Sequence, residues 1–200
     1  MWAERLQTIA QAGRTYWRDP YDRERCEAVQ AIAAEILAAH VDVTDETAHG
    51  WLRAEEGYAT PKVDVRAVVG DAAGKILLVR ESGDGRWALP GGWADPGSTP
   101  AEMVVREVRE ETGYEVRATK LLAVLDKRMH EHPPHLWYVY KLFFRCELEG
   151  GAPRPSLETT EVAWFAEDAL PPLSLARNTP DQLARMFLHL RSPERPTDFD

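Results

Sequence analysis

Three glutamates, Glu107, Glu110 and Glu111, have a spacing that could bring three carboxylates together. On an α-helix, residues at positions i, i+3 and i+4 lie on the same side. Like charges at that spacing destabilise a helix by roughly 0.2–0.5 kcal/mol per pair, and a divalent cation with oxygen ligands would offset the repulsion. The spacing therefore predicts a metal-binding helix face. The alternative is a solvated face on which Arg106 and Arg109 supply salt bridges.

The residues before and after the glutamates favour the metal-binding alternative. Residues 89–93 read Leu-Pro-Gly-Gly-Trp, and the two glycines let the backbone pass close to a ligand. Thr99 and Glu102 predict a helix start, because they can form a capping box with Pro100 at the first helical position. Glu102 lies about 130° around the helix from the three glutamates, so we expect it to cap the helix and not to bind metal. Gly113 is expected to end the helix in a left-handed conformation.

The first 58 residues have helical periodicity and no strand pattern. One helix ends at Asp19-Pro20, a second continues from Pro20 with an alanine-rich apolar face, and a third is capped near Thr44. A module of this size is small for an independent core. The sequence therefore predicts a small all-helical module at residues 1–58 that contributes to a homodimer.

The periodicity changes after Thr60-Pro61, where apolar residues from Val63 to Val69 begin to alternate with other residues. We expect strands at 63–69, 76–79, 115–126, 136–147 and 160–166. Helical patterns recur near residue 168 and at 180–191. Strands before and after a central helix indicate an α/β domain over residues 61–200.

Composition excludes several classes of function. With 44% hydrophobic and 28% charged residues, the chain is typical of globular proteins, and its apolar stretches are too short to span a bilayer. The start does not resemble a signal peptide, and Cys26 and Cys146 form no CxxC pattern, so we expect a cytoplasmic protein with reduced thiols. The net charge of −9 makes binding of long nucleic acid unfavourable. It does not exclude a small phosphorylated substrate held through a metal ion.

The segment from Gly92 to Tyr114 resembles the Nudix signature, G-x5-E-x7-R-E-U-x-E-E-x-G-U, where U is a bulky apolar residue. Gly92 matches its first glycine, residues 106–108 match R-E-U, and Glu110-Glu111 match the paired glutamates before Gly113. Ser98 stands where the signature has its first glutamate. The helical module and the runs LPGGWAD, AVLDKRMHEHPPH, PPLSLARNT and PTDFD extend the resemblance over nearly the whole chain, to the CDP-choline pyrophosphatase branch of the family.

This resemblance implies a fold, an activity and a cofactor. The fold is a Nudix-type α/β/α sandwich with a mixed sheet, beside the small helical module. The activity is hydrolysis of the pyrophosphate bond in a nucleoside diphosphate linked to a group X, such as CDP-choline or ADP-ribose. The implied cofactor is Mg²⁺ or Mn²⁺, and the sequence leaves open the metal, the base, X and the phosphate attacked.

The resemblance also implies roles for individual residues. Glu107, Glu110 and Glu111 are implied metal ligands, joined by the Gly92 carbonyl, and Glu110 is also a catalytic residue. Arg106 is expected to hold the glutamates by charge-assisted hydrogen bonds. Glu161 matches a region that supplies a further ligand or a general base; the alternative is an exposed strand carboxylate.

Six other residues are candidates for contact with substrate. Arg66 and Arg80, on early strands, could clamp phosphates, although Arg80 could equally be a surface residue. Asp126, Lys127 and His132 lie in or near a loop that we expect to face the substrate. Trp93, next to Gly92, could contact a choline-like cation.

Two other functions are compatible with the sequence. The first is a non-catalytic Nudix domain that senses a nucleotide, a hypothesis motivated by Ser98. The second is hydrolysis of RNA ends, which the acidic net charge disfavours.

Overall fold

The computed structural model describes residues 2–40, 43–133, 135, 137–154 and 156–200. The chain divides into two compact units, Met1–Pro61 and Lys62–Asp200. The first unit is helical, and the second contains all the strands assigned in the described residues.

Three helices form the first unit: α1 (Trp2–Tyr16), α2 (Pro20–His40) and α3 (Asp45–Arg53). Buried amides join them. The Gln7 amide donates to the Leu52 carbonyl at 2.9 Å, and Gln30 donates to the Gln7 side chain and to Leu52, each at 3.0 Å. Small residues fill the rest of the interior, including Ala10 and Ala33. The unit therefore depends on polar bonds as well as on apolar burial.

The surface of the helical unit carries many large apolar side chains. Trp2, Ile9 and Tyr16 recur every seven residues along α1 and are all exposed, so they lie along one side of the helix. Other exposed residues of this type in the unit are Trp17, Tyr21, Ile32, Trp51 and Tyr58.

The second unit contains seven strands and two helices. In chain order they are β1 (Lys62–Val69), β2 (Ile76–Glu81), β3 (Trp87–Ala88), α4 (Pro100–Thr112), β4 (Tyr114–Asp126), β5 (Val139–Gly151), β6 (Thr159–Phe165), α5 (Pro180–Arg191) and β7 (Asp198–Phe199). Single 3-10 turns at Lys127–Met129 and Glu167–Ala169 follow β4 and β6.

The strands form two sheets. A four-stranded mixed sheet has the order β1-β5-β4-β7, in which β1 and β5 are parallel and β4 and β5 antiparallel. A three-stranded antiparallel sheet has the order β3-β2-β6. One apolar core packs α4 against β1, and a second packs α5 against β2, β4 and β5. This arrangement confirms the predicted layered α/β fold with a mixed sheet and an N-terminal helical module.

Strand β1 shows how alternation positions the site. Val65, Ala67 and Val69 belong to the core beneath α4, and the intervening residues point to the other face. On that face Val68 enters the second core, but Asp64 and Arg66 are buried too. The face of β1 that carries Asp64 and Arg66 is therefore buried, as its apolar face is.

Several elements differ from the sequence-based expectation. The helical pattern near residue 168 is one 3-10 turn. The strand expected at 136–147 runs from Val139 to Gly151, and residue 136 lies outside the described part of the chain. The two-residue strands β3 and β7 were not predicted, because a pattern of two residues has no detectable period. No described helix has the length and apolar character needed to cross a bilayer.

Candidate active site

The helix that carries the three glutamates, α4, begins and ends as predicted. Thr99 and Glu102 form a reciprocal capping box, and Gly113 ends the helix with φ of 76°. Met103, Val104 and Val108 are buried. Because this apolar face anchors the helix, the positions of the glutamates around it are set by the helical period alone.

The two glycines before α4 bring backbone against these carboxylates. Gly91 has φ of 139°, and a Cβ there would meet the Val65 carbonyl oxygen at 2.0 Å. Its N–H donates to Glu111 Oε2 at 2.8 Å. The Gly92 carbonyl accepts from the Val65 N–H at 2.8 Å, and a Cβ on Gly92 would lie only 3.2 Å from Glu107 Oε2. A side chain at Gly91 would therefore clash with β1, and one at Gly92 would crowd Glu107.

All three glutamates line one cavity of about 890 Å³, a volume suited to a small ligand. Glu111 is buried, Glu107 is half-buried and Glu110 is exposed. Burial raises the pKa of Glu111 to about 8; the Glu107 and Glu81 charges add to this effect, while Arg66 and the Gly91 N–H oppose it. Burial and the neighbouring Glu110 charge raise the pKa of Glu107. A second cleft beside α4 shares only Glu110 of the three glutamates.

A buried ionic cluster forms the floor of the cavity. Arg66 donates to both Asp64 oxygens, at 2.9 and 2.7 Å, and to the Leu89 carbonyl at 3.0 Å. Lys141, beside Asp64 on the neighbouring strand β5, donates to the same carboxylate at 2.7 Å. Although burial acts to raise it, Arg66 and Lys141 hold the pKa of Asp64 well below its usual range. Arg66 therefore lines the cavity, but its hydrogen bonds go to Asp64 and Leu89, and its role as a phosphate clamp stays a prediction.

Besides Asp64 and Asp95, two more carboxylates that were not predicted line the cavity. Glu81 is buried at the end of β2, and Glu158 lies in the loop before β6. Burial raises the pKa of Glu81, against the charges of Arg177 and Arg66. The signal for Glu81 was present in the sequence: it shares a strand face with Leu77, which packs in the core beneath α4. The loop position of Glu158 had no comparable pattern.

Arg106 has a different partner from the one predicted. Its guanidinium donates to Asp95 Oδ2 at 2.7 Å and contacts the Met103 sulfur. Within the described residues Arg106 makes no hydrogen bond to a glutamate. It does not hold the glutamates as expected but bonds to Asp95, which follows the two glycines. Arg106 nevertheless lines the cavity, and its charge acts on Glu107.

Arg80 and Glu161 lie away from the cavity. They are paired across β2 and β6, with Arg80 Nη1 and Glu161 Oε1 2.5 Å apart, and Arg80 also donates to the Gly85 carbonyl. Neither side chain is among those that line the cavity in the described residues. The cause is strand alternation, because the neighbouring residue Glu81 takes the inward face and Arg80 points to the opposite one. Of the alternatives that the sequence left open, the structure therefore favours a surface arginine for Arg80 and an exposed strand carboxylate for Glu161.

The expected substrate-facing loop divides into structural and cavity-lining residues. Asp126 caps the 3-10 turn and pairs with Arg128. His132 accepts from the Gln182 amide and contacts the Leu175 carbonyl at 2.7 Å. Burial lowers the pKa of His132 to about 4, so the ring is neutral and its Nδ1 proton is available for that carbonyl. Neither residue lines the cavity, which corrects their assignment.

Lys127 and Trp93 line the cavity, and their contact with substrate stays a prediction. Lys127 is buried, and this burial, together with the charges of Arg66 and Arg177, lowers the pKa of its ammonium against the effect of Asp64. Trp93 is exposed, and its ring lies 6.4 Å from that of His135. His135, and not His132, is the histidine at the cavity. Ser98, in the turn before α4, is not a lining residue in the described structure.

The donor set suits a divalent cation. Mg²⁺ and Mn²⁺ prefer carboxylate, carbonyl and water oxygens, and the three glutamates and Gly92 offer such groups around one cavity. In the part of the chain that the structure describes, no three acidic, histidine or cysteine side chains already converge as metal ligands. Glu110 is exposed, so its side chain can change rotamer without movement of α4. Burial is the main cause of the raised pKa of Glu107 and Glu111, and a bound cation would oppose this rise by favouring the ionised carboxylates.

Comparison with known proteins identifies both parts of the chain. A model of the NUDIX domain matches residues 60–187. A model described as a UDP-X-like, N-terminal oligomerisation domain matches residues 1–52.

Three relatives are similar over most of their own length. A Bacillus subtilis (strain 168) protein, YjhB, provisionally named an ADP-ribose pyrophosphatase, is 46% identical over 99% of this chain and 95% of its own. The crystal structure of an ADP-ribose pyrophosphatase from Streptococcus suis 89-1591 is 44% identical, with a TM-score of 0.65, and the match covers 70% of this chain and all of that one. The crystal structure of a UDP-X diphosphatase is 34% identical, with a TM-score of 0.66, over 99% and 96% of the two chains.

We expect Asp64→Asn to destabilise the second unit by about 3–5 kcal/mol, because it leaves Arg66 and Lys141 buried without their counter-charge. Urea unfolding measures the loss, and Asp168→Asn, at an exposed position, is the control. The pKa of Asp64 is lowered on folding, so its contribution is present above the unfolded pKa of about 3.9 and declines as the pH falls below it. The difference in the free energy of unfolding between wild type and Asp64→Asn should therefore become smaller in acid. A difference that is small at pH 7 would contradict the account of the cavity floor.

Proposed function

The chain belongs to the Nudix family, and we propose that it hydrolyses the pyrophosphate bond of a nucleoside diphosphate linked to a group X. The observation that carries the proposal is the cavity in which three glutamates of one helix stand above a buried cationic floor. ADP-ribose and CDP-choline are the substrates we propose to test first. The names of the relatives support ADP-ribose, and the motifs outside the Nudix signature support CDP-choline.

We propose that Glu107, Glu110 and Glu111, with the Gly92 carbonyl, hold Mg²⁺ or Mn²⁺. A bound cation of this kind neutralises phosphate charge and lowers the pKa of a coordinated water. The chain itself contributes the geometry. Gly91 fixes Glu111 through its N–H, and Arg66 places a permanent positive charge below the carboxylates.

Glu158 is our candidate for the general base. The loop that carries it lies at the cavity, and its backbone is fixed by bonds from the Glu158 and Thr159 N–H groups to the Ser156 hydroxyl. A carboxylate there can take a proton from the attacking water without being a permanent ligand. Glu158 thereby takes the role that the sequence suggested for Glu161.

We propose that the helical unit forms a homodimer. Three large apolar side chains spaced seven residues apart, Trp2, Ile9 and Tyr16, are exposed on the helical unit. The interior of this unit consists largely of alanine and glutamine. Exposed apolar surface of this kind marks an interaction site, and the match to an oligomerisation domain supports a second copy of the chain as the partner.

The central test is hydrolysis of a panel of ADP-ribose, CDP-choline, sugar nucleotides, nucleoside triphosphates and 5′-triphosphate RNA, with Mg²⁺ or Mn²⁺. We expect turnover of a nucleoside diphosphate linked to X and its loss when the metal is chelated. Nucleotide binding without turnover of any compound would favour a sensor, and preference for RNA would favour an RNA-end hydrolase.

The same assay tests the glutamates. Glu110→Gln should lower kcat by about 10²–10³-fold, because it removes a charge that stabilises the transition state through the metal. Glu102→Gln makes the same chemical change on the same helix, and glutamine can keep the capping box, so its kcat should match that of wild type. Equal activity of the two variants would place the metal site elsewhere.

A second pair of variants separates the two candidate bases. Glu158→Gln should lower kcat by about 10²–10⁴-fold and remove the acidic limb of the pH–rate profile. Glu161→Gln breaks only the pair with Arg80 outside the cavity. If Glu161→Gln is the more damaging change, the assignment made from sequence is right and Glu158 is not the base.

Light scattering at micromolar concentration tests the dimer. Wild type should have twice the chain mass of 22.6 kDa, and Ile9→Glu should shift it toward monomer by burying a charge in the interface. Leu188→Glu makes the same substitution at an exposed apolar position of α5 and should stay dimeric. A monomeric wild type would refute the proposal.

A further inference from the structure

Lys127 is a buried residue whose ammonium has no bonded partner among the residues that the structure describes. Only 8% of its surface is exposed, and it begins the 3-10 turn after β4. Its ammonium lines the cavity, yet among the residues that the structure describes it makes no hydrogen bond and no ion pair. A buried charge is unfavourable unless it is paired. A lysine in this state at a cavity wall therefore indicates that an anion binds there.

Arg177 lines the same cavity and pairs with the Glu81 carboxylate without a well-directed hydrogen bond. Its Nε lies 2.6 Å from Glu81 Oε1, and its side chain is 38% exposed. The contact lacks hydrogen-bond geometry, however, because Glu81 Oε1 is a buried atom without a hydrogen-bond partner. Arg66 differs in both respects, since it is buried and donates three well-directed hydrogen bonds. Of these two arginines, Arg177 is the one that can turn toward a ligand.

The loop beneath Arg177 is held in place from both sides. The Ser174 N–H donates to the Trp87 carbonyl and its hydroxyl to Asp84, at 2.8 and 2.7 Å. Asn178, the residue after Arg177, accepts from the Leu89 N–H at 2.9 Å. His132 fastens the same loop through the Leu175 carbonyl. Arg177 is therefore a partly exposed side chain on a fixed backbone, so binding a ligand there would not require the backbone to become ordered.

Lys127 and Arg177 line the cavity from elements other than α4, which carries the three glutamates, and their positive charges oppose each other. The charges that affect Lys127 are those of Asp64, Arg66 and Arg177, and none of the three α4 glutamates is among them. The cavity thus has an acidic part on α4 and a basic part made by the β4 turn and the loop before α5. Asp64 and Glu81 offset part of this positive charge, and a phosphate placed there could bond to both cations, with Lys as a point charge and Arg as a fork.

We propose that Lys127 and Arg177 form an anion site that binds a phosphate group of the substrate, and that Glu81 holds Arg177 until the substrate arrives. The site rests on the proposed function for the identity of the anion, because the phosphate belongs to the diphosphate that the enzyme would cleave. Glu81 is a positioning residue: it gives up Arg177 to the phosphate.

The test uses binding without turnover. Inorganic pyrophosphate is titrated calorimetrically into the full-length protein in the presence of a chelator, so that no metal contributes. We expect Lys127→Met and Arg177→Gln each to weaken binding about tenfold or more, as expected for a lost charge-assisted bond. Arg191→Gln is the matched control, since Arg191 also pairs with one carboxylate, Glu167, but outside the cavity. Thermal unfolding checks that each variant is folded, and Arg177→Lys, which keeps the charge, should recover part of the affinity.

Glu81→Gln tests the holding role directly. Neutralising Glu81 should release Arg177 and strengthen pyrophosphate binding, and combining it with Arg177→Gln should abolish that gain. Weaker binding in Glu81→Gln than in wild type would overturn the role given to Glu81.

The outcomes separate this inference from the proposed function. Unchanged pyrophosphate affinity in folded Lys127→Met and Arg177→Gln would overturn the anion site even if the enzyme hydrolyses its substrate. Loss of affinity in both variants would support the anion site even if every compound in the panel resists hydrolysis. With an active substrate, a rise in KM at unchanged kcat would further support a binding role.

Discussion

The bond network of Asp64 with Arg66 and Lys141 is the interaction on which the site depends. It joins β1 to its parallel neighbour β5 and lets three charged side chains be buried together. One carboxylate faces two cations, so the floor keeps a net positive charge. That charge acts on the carboxylates above it: Arg66 opposes the rise in the pKa of Glu81, Glu107 and Glu111. Arg66 therefore supplies a buried positive charge that offsets the carboxylates lining the cavity. Its hydrogen bonds within the buried ionic cluster hold that charge in place.

The floor does not balance the whole cavity. Glu107 and Glu111 retain a raised pKa because burial and mutual repulsion exceed the effect of Arg66. A cation bound by these carboxylates would favour their ionised forms, so metal binding and proton release should be coupled. The shortage of positive charge on α4 contrasts with the surplus around Lys127 and Arg177. The cavity therefore has an acidic part and a basic part. A ligand that combines a cation with a diphosphate matches both parts.

Backbone geometry holds this charge distribution in place. Gly91 and Gly92 run between β1 and α4, where they bond to Val65 on one side and to Glu111 on the other. A Cβ on Gly91 would meet the strand, and one on Gly92 would meet the Glu107 carboxylate. The loop before α5 is similarly fixed through Ser174 and Asn178. Rigid backbone around mobile side-chain ends is the arrangement that preorganises a site at a small entropic cost.

Local spacing determined much of this protein from the sequence alone. The helical period placed Glu107, Glu110 and Glu111 together, and the capping box and Gly113 marked the ends of α4, because these features involve residues within one or two turns of each other. The tertiary structure decided which charged residues face the cavity. Arg80 and Glu81 are neighbours on one strand, yet only Glu81 points inward, since the register of β2 with β6 and the cover of α4 set that face. Arg66 and Arg106 found partners other than the expected ones, and Arg177 reached Glu81 from a distant loop. Long charged side chains bond to whatever the fold brings near, and that depends on contacts between elements far apart in the chain.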